Sequence, residues 1–368
     1  MHLDSAFCAY GAKDAEKQRE AGRRLLARVF ECAKSEACQL ILFAGDIFDG
    51  KFVTPETAEL FCKLVEDCQI PVVISPGNHD FYSDNSFFAK VQKTLGEKLI
   101  LFTSPELQVF DLDDLGVRLF GYAFTSAALP QSPLADANIP EDNGYLKILC
   151  AHADLASPVS RYAPLTLADI QKFDFDYAAL GHIHNNSQAL SLPENIRYCG
   201  FPEGRGFDEF GDGGVLLIDV DRSGLECTRV VLSQRAFYEL SLELKDVDTY
   251  EEIKSLICET IKKEKYSSAA HVRLTLSGDR DGAALELARM AKEVSDETGI
   301  AYLEIYDETL PVANGEYLLS DTTLRGEFYR TLLPKLSSED AQQRRMAINA
   351  LRIGLAAIDG RSIFGFEE

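Results

Sequence analysis

Four of the six histidines in this 368-residue sequence stand directly after short apolar runs. His79 lies in Gly-Asn-His-Asp, His152 ends the run "ILCAH", and His182 and His184 form Gly-His-Ile-His. On an extended segment, two side chains that are two residues apart point to the same side. Imidazoles placed in this way can bind metal ions or transfer protons.

Oxygen donors accompany these histidines. Asp46 follows the apolar run "QLILFA" in "GDIFD", and Asn78 directly precedes His79. A lone Gly-Asp or His-x-His is typical of an ordinary turn, but a structural explanation of the whole set is much less convincing. The set has no thiolate, which excludes a thiolate zinc site and suits Mn²⁺, Fe²⁺, Ni²⁺, Co²⁺ or Zn²⁺. A shared carboxylate flanked by nitrogen ligands suits two ions about 3.5–4 Å apart, the spacing used by phosphatases and nucleases.

Alternating helices and strands are predicted to position these residues. Helical periodicity extends from about Ala12 to Ala37, and "TPETAELFCKLVEDC" predicts a second helix with Thr54 as N-cap and Pro55 in the first turn. The apolar runs before Asp46 and Asn78 predict buried parallel strands. Ligand-binding groups gather beyond the carboxyl ends of such strands, so we expect these polar residues to meet there.

The remaining sequence predicts further strands and a smaller second domain. Short strands between residues 99 and 122 are expected to be antiparallel. From about residue 235 the pattern changes to β-α-β-α-β, and a helical tail follows. We therefore predict a domain at 1–234, a second at 235–310, and C-terminal helices at 311–368 that could dock a partner.

Composition restricts the class of protein. Hydrophobic residues make up 46% of the sequence, enough for a full core. No apolar run approaches the roughly 20 residues of a membrane span, and no signal peptide is evident. The nine cysteines include no C-x-x-C pair, which favours a reducing cytoplasm. A net charge of −22 makes the chain a poor unaided binder of nucleic acid.

The ordered motifs "GDIFD", "GNHD", the His152 strand end and "GHIH" resemble those of calcineurin-like metallophosphoesterases. The segments "HLDSAF" and "RYCGFPEGRGFDEFGDGGVLLIDV" are similar to SbcD-type and YhaO-type bacterial DNA repair exonucleases. This resemblance implies an α/β fold, a four-layer α-β-β-α sandwich with a smaller α+β capping domain and C-terminal helices. It also implies a DNA exonuclease or endonuclease subunit of an SbcCD-like complex. Its partners would be DNA and an SMC-like coiled-coil ATPase, and a homodimer is compatible with it.

The resemblance also implies a role for each candidate residue. Asp46 would bridge two divalent cations, with Mn²⁺ preferred. The other expected metal ligands are His2 and His184 for the first ion, and Asn78, His152 and His182 for the second. His79 would stabilise or protonate the leaving group, and Asp80 would orient its imidazole. For Asp49, a supporting or loop-stabilising role is as well founded as a direct one.

One departure from the family pattern affects the first metal. That pattern opens with Asp-x-His at the end of a central strand, whereas here the histidine is residue 2, so the aspartate and the strand are absent from this sequence. Either the natural start lies upstream or the protein is truncated. We expect the first metal to be weak or missing and activity to be low.

Two alternatives to the nuclease stay open. The same motifs serve phosphodiesterases or phosphatases acting on small nucleotides or other soluble phosphoesters. A non-catalytic scaffold with a damaged metal site is the third reading.

Overall fold

The computed structural model describes residues 1–6, 12–50, 53–138, 141, 143–184, 192–245, 247–278, 280, 285–309 and 315–360. The chain divides into two compact units. One comprises Met1–Arg205 and Asp212–Gln234, and the other comprises Gly206–Gly211 and Arg235–Glu368. The division into three domains stays a prediction, and parts of the predicted C-terminal docking region lie outside the described residues.

The first unit opens with a three-stranded parallel sheet and the helices that cover it. These elements are α1 (Ala12–Ser35), β1 (Ile41–Phe43), α2 (Pro55–Asp67), β2 (Val72–Ile74), α3 (Phe87–Leu95) and β3 (Leu99–Leu101). The strand order is β1-β2-β3, with Ile41 paired to Val72 and Val72 to Leu99. The predicted start of α2 is confirmed, because the Thr54 side chain accepts a hydrogen bond from the Thr57 N–H and Pro55 follows it.

A second sheet of five strands completes most of this unit. Its strands are β4 (Gln108–Leu112), β5 (Val117–Gly121), β6 (Leu146–His152), β7 (Tyr177–Gly181) and β8 (Ile196–Tyr198), in that order, and a short helix α4 (Leu167–Gln171) connects β6 and β7. Only the β4–β5 pair is antiparallel. The expectation of antiparallel strands throughout residues 99–122 was therefore wrong: β3 joins β2 in parallel, and β5 joins β6 in parallel.

The two sheets face each other across an apolar layer. Val73 and Phe102 from the first sheet pack in one cluster with Leu119, Cys150 and Ala179 from the second. The outer face of the first sheet packs against α1, α2 and α3, and the outer face of the second packs against α4 and the segment after it. This arrangement confirms the four-layer α-β-β-α sandwich, since each apolar strand face is covered by another layer.

A long hairpin follows, formed by β9 (Gly211–Asp221) and β10 (Gly224–Leu244). Among the described residues, β1 pairs only with β2, and β9 pairs only with β10. A cavity of about 560 Å³ lies along these two edges and is lined by apolar side chains such as Leu42, Leu216 and Ile218.

The second unit repeats strands and helices in the predicted β-α-β-α-β order. After β10 come α5 (Tyr250–Glu264), β11 (Ala270–Gly278), α6 (Leu287–Thr298) and β12 (Tyr302–Asp307), with the three strands parallel. The helices α7 (Gly315–Ser320), α8 (Leu324–Leu336) and α9 (Ala341–Ile358) follow and share a small core around Leu351 and Leu355. In the described part of the chain, no helix has both the length and the apolar character needed to span a bilayer.

Candidate metal centre

The candidate side chains follow the carboxyl ends of four strands and lie close together there. Asp46 follows β1, Asn78 and His79 follow β2, His152 ends β6, and the Gly-His-Ile-His segment follows β7. Three of the site residues have a left-handed backbone, with φ of 53° at His2, 51° at Asp46 and 97° at His182. Such conformations cost roughly 1–3 kcal/mol each and persist where the surrounding structure holds them.

Two glycines permit the close approach of these loops. A Cβ atom on Gly77 would collide with the carboxylate and backbone of Asp46, and one on Gly181 would collide with the carbonyl oxygen of Ala44. Only glycine can therefore occupy these positions without moving the segments that carry the donors.

A first group of donors lies close to the Asp46 carboxylate. His2 Nε2 is 3.7 Å from Asp46 Oδ2 and 3.3 Å from His184 Nε2. The His2 side chain is buried, and its Nδ1 atom lies 3.6 Å from Asp49 Oδ1, just beyond hydrogen-bond distance. Two ring nitrogens and a carboxylate that converge in this way can hold a divalent cation.

A second group of donors also approaches Asp46 Oδ2. His152 Nε2 is 3.4 Å from Asp46 Oδ2 and 3.0 Å from Asn78 Oδ1, and the His182 ring lies 5.1 Å from the His152 ring. His152 Nδ1 donates a hydrogen bond to the carbonyl oxygen of Ala44 at 2.9 Å, which leaves the lone pair on Nε2. That lone pair then faces the Asn78 oxygen, and a cation held by both atoms would satisfy these two acceptors.

Burial keeps three of these imidazoles neutral. It lowers the pKa of His2 to about 3 and the pKa values of His152 and His182 to about 4. A neutral imidazole offers its lone pair without first losing a proton, so these side chains are ready to bind a cation at neutral pH.

His79 borders the first group and is more exposed than the three neutral imidazoles. Its Nδ1 atom lies 2.7 Å from Asp49 Oδ1, and this hydrogen bond raises the pKa of His79. Asp49 also accepts a hydrogen bond from Ser5 Oγ at 2.8 Å, and the His2 and His79 side chains lower its pKa. Potential ligand atoms of His2, Asp46 and His79 all lie within 4.8 Å of one another.

Asp80 occupies a different position from the one expected. Its buried carboxylate accepts hydrogen bonds from the backbone N–H groups of Gly77 (2.8 Å), Asp46 (3.1 Å), Ile47 (2.7 Å) and Phe48 (3.2 Å). The structure therefore contradicts the expectation that Asp80 orients the His79 imidazole, because Asp49 makes that contact. Asp80 instead fixes the loop that carries Asp46, and burial followed by the Asp46 charge raises its pKa to about 6.

Three neighbours of the site were not foreseen. Asp154 Oδ2 lies 3.9 Å from His182 Nε2, the Tyr162 ring lies 5.0 Å from the His182 ring, and Arg205 Nη2 lies 3.5 Å from His184 Nδ1. Asp154 could have been noticed as a carboxylate two residues after His152. Arg205 lies within the segment that carries the resemblance, but a single arginine there gave no signal of its own.

The sequence of this chain is similar to a known protein family and to several known proteins. The family model described as calcineurin-like phosphoesterase matches residues 2–186. "Uncharacterized metallophosphoesterase YhaO" of Bacillus subtilis is 25% identical over 85% of this chain and 81% of its own length. The SbcD subunit of the nuclease SbcCD from Staphylococcus epidermidis is 24% identical over 70% of this chain and 73% of its own length. "DNA double-strand break repair protein Mre11" of Aeropyrum pernix is 24% identical over 67% of this chain and 64% of its own length. The chain belongs to the calcineurin-like phosphoesterase family.

Proposed function

We propose that this protein is a nuclease that hydrolyses phosphodiester bonds with two divalent cations, one on each side of Asp46. One observation carries the proposal: Asp46 Oδ2 lies near both donor groups, 3.7 Å from His2 Nε2 and 3.4 Å from His152 Nε2. A carboxylate between two sets of neutral nitrogen and oxygen donors fits a pair of cations that share it.

The donor set suits several divalent cations, and the family resemblance favours manganese among them. His2 and His184 would hold the first cation, and Asn78, His152 and His182 would hold the second, with Asp46 common to both. Bound there, the cations would neutralise phosphate charge and make a hydroxide nucleophile available at neutral pH. The first group offers fewer donors than the second and has Arg205 3.5 Å from His184, so we expect the first cation to bind more weakly.

His79 would act at the leaving oxygen. The hydrogen bond from its Nδ1 to Asp49 fixes the ring and leaves Nε2 to face the substrate. Because its pKa is raised, a larger fraction of His79 carries the second proton near neutral pH, and that proton can pass to the departing alkoxide. Asp80 would support the reaction indirectly by holding the Asp46 loop.

The names of two relatives favour DNA as the substrate, since one is part of a nuclease and the other is a double-strand break repair protein. The net charge of −22 disfavours tight binding of DNA by this chain alone. We therefore infer that an SMC-like ATPase partner supplies DNA binding and docks on the C-terminal helices, in the cytoplasm. A homodimer is compatible with this assembly.

A small soluble phosphoester is the second candidate substrate, and the acidic charge favours it. The test is a parallel assay with Mn²⁺ on single-stranded DNA, duplex DNA ends and cyclic nucleotides. We expect DNA to be cut, and Asp46→Asn and His182→Ala to abolish the activity. Hydrolysis of cyclic nucleotides without any cutting of DNA would overturn the nuclease proposal.

A further inference from the structure

A second cavity, of about 410 Å³, opens beside His79 on the first unit. Its walls include the rings of Phe48, Phe81 and Phe87, and Ser83 and Lys90 also line it. None of the proposed metal ligands lines this cavity, and apart from His79 and Asp80 its lining residues have no part in the proposed reaction. Its size falls within the range of small-molecule sites.

Among the aromatic residues that line the cavity, Phe87 is held in place by several neighbouring rings. It is the first residue of α3, and the Ser86 side chain caps that helix by accepting a hydrogen bond from the Ala89 N–H. Its ring centroid lies 5.0 Å from that of Phe48, 5.8 Å from Phe61 and 6.0 Å from Phe88. Phe87 remains half-buried although Phe48, Phe61 and Phe88 are fully buried. Part of its surface is thus available on a ring that its neighbours hold in place.

The position of the cavity next to His79 places it where the leaving group of the substrate would lie. His79 is both a wall of the cavity and the proposed proton donor to the leaving oxygen, and Asp49 fixes its ring at 2.7 Å. A substrate whose leaving oxygen reaches His79 must place the rest of the leaving group next to that imidazole. The cavity beside His79 offers space for that leaving group.

From this geometry we propose that the cavity binds the nucleobase of the leaving nucleoside, stacked against Phe87. This inference rests on the proposed function. A flat base offers a π-face to an aromatic ring whatever its sequence, which suits a nuclease without strict base preference. Lys90 lies one turn along α3 from Phe87 and is exposed, so its ammonium can meet the next phosphate of a strand.

The first test compares two substrates that differ only in the base. One is a deoxydinucleotide, and the other is the same molecule with an abasic leaving sugar. We expect kcat/KM with Mn²⁺ to be about 10-fold higher or more for the base-bearing substrate, the size that base–aromatic stacking provides. Phe87→Ala should bring the ratio of the two kcat/KM values close to one, and Phe87→Tyr should preserve it.

Phe61→Leu is the matched control. Phe61 belongs to the same aromatic cluster, but it is fully buried and does not line the cavity. This variant should lower the free energy of unfolding without changing the substrate ratio. Equal loss of the ratio in Phe61→Leu and Phe87→Ala would show a general packing effect and would overturn the stacking proposal.

The second test needs no catalysis. The chain contains no tryptophan, so Phe87→Trp introduces a single indole fluorophore at the proposed stacking position. In metal-free buffer, where hydrolysis is stopped, we expect the deoxydinucleotide to quench this emission and the abasic analogue to leave it unchanged. Identical responses to the two molecules would contradict base stacking at Phe87.

The two tests separate the failure of this inference from the failure of the proposed function. If no phosphodiester is hydrolysed but the base quenches the indole emission of the Phe87→Trp variant, the cavity inference survives and the nuclease proposal fails. If DNA is hydrolysed with no preference for the base and no quenching, the nuclease proposal survives and the cavity inference fails.

Discussion

The imidazole of His79 is held by Asp49, with His79 Nδ1 at 2.7 Å from Asp49 Oδ1. These residues lie on loops after different strands, β2 and β1, so the contact depends on the folded arrangement of the two loops. It determines which carboxylate orients the proposed proton donor, a role that the family resemblance implied for Asp80.

Asp49→Asn should reduce turnover while leaving the second cation bound. The substitution removes the negative charge that raises the pKa of His79, so the alkaline limb of the kcat profile should move to lower pH. We expect kcat to fall roughly 10- to 100-fold, the range seen when a supporting partner is removed. The measurement is the pH profile of phosphodiester hydrolysis together with metal analysis.

His79→Ala should also retain its metals and slow turnover, and an unchanged rate in that variant would remove the role given to His79.

Asp80→Asn should destabilise the protein rather than act directly on the chemistry. The Asp80 carboxylate accepts backbone hydrogen bonds from Asp46, Ile47 and Phe48 as well as Gly77, and an amide group cannot accept them all. We expect a loss of about 2 kcal/mol in the free energy of unfolding, measured by urea denaturation without metal. Asp84→Asn, at an exposed position nearby, is the control and should change it by less than about 0.5 kcal/mol.

The metal-free protein should lose stability as pH falls from 6.5 to about 4. The pKa values of His2, His152 and His182 are depressed to about 3, 4 and 4, so these groups take up protons only after unfolding in that range. Asp80 and His79 have raised pKa values and oppose this trend, because in that range the folded state holds their protons more firmly. The three depressed histidines outweigh this opposition, because His79 protonates below pH 6.5 in the unfolded chain as well, so we expect a net loss of about 1 kcal/mol or more, measured by urea denaturation with EDTA at pH 6.5 and pH 5. Greater stability at pH 5 would mean that the buried imidazoles are not neutral.

Much of the site could be predicted from the sequence, because it depends on where apolar strands end. The runs before Asp46, Asn78, His152 and His182 indicate strands, and parallel strands place their carboxyl ends together. The N-cap at Thr54 was equally visible, since capping is a local property of the chain.

The parts that were missed depend on the path of the chain in space. The exchange of roles between Asp49 and Asp80 arises from loop conformations that no periodicity encodes. The contact of Arg205 with His184 joins residues 21 positions apart. The pairing of β3 with β2 was also missed, because a three-residue apolar run does not indicate the direction of its partner.

The most direct test of the metal centre is an anomalous diffraction map of crystals soaked in Mn²⁺. We predict a strong peak between Asp46, Asn78, His152 and His182, and a weaker peak between Asp46, His2 and His184. A map with no manganese peak beside the Asp46 carboxylate, from protein that hydrolyses phosphodiesters in the same buffer, would contradict the account.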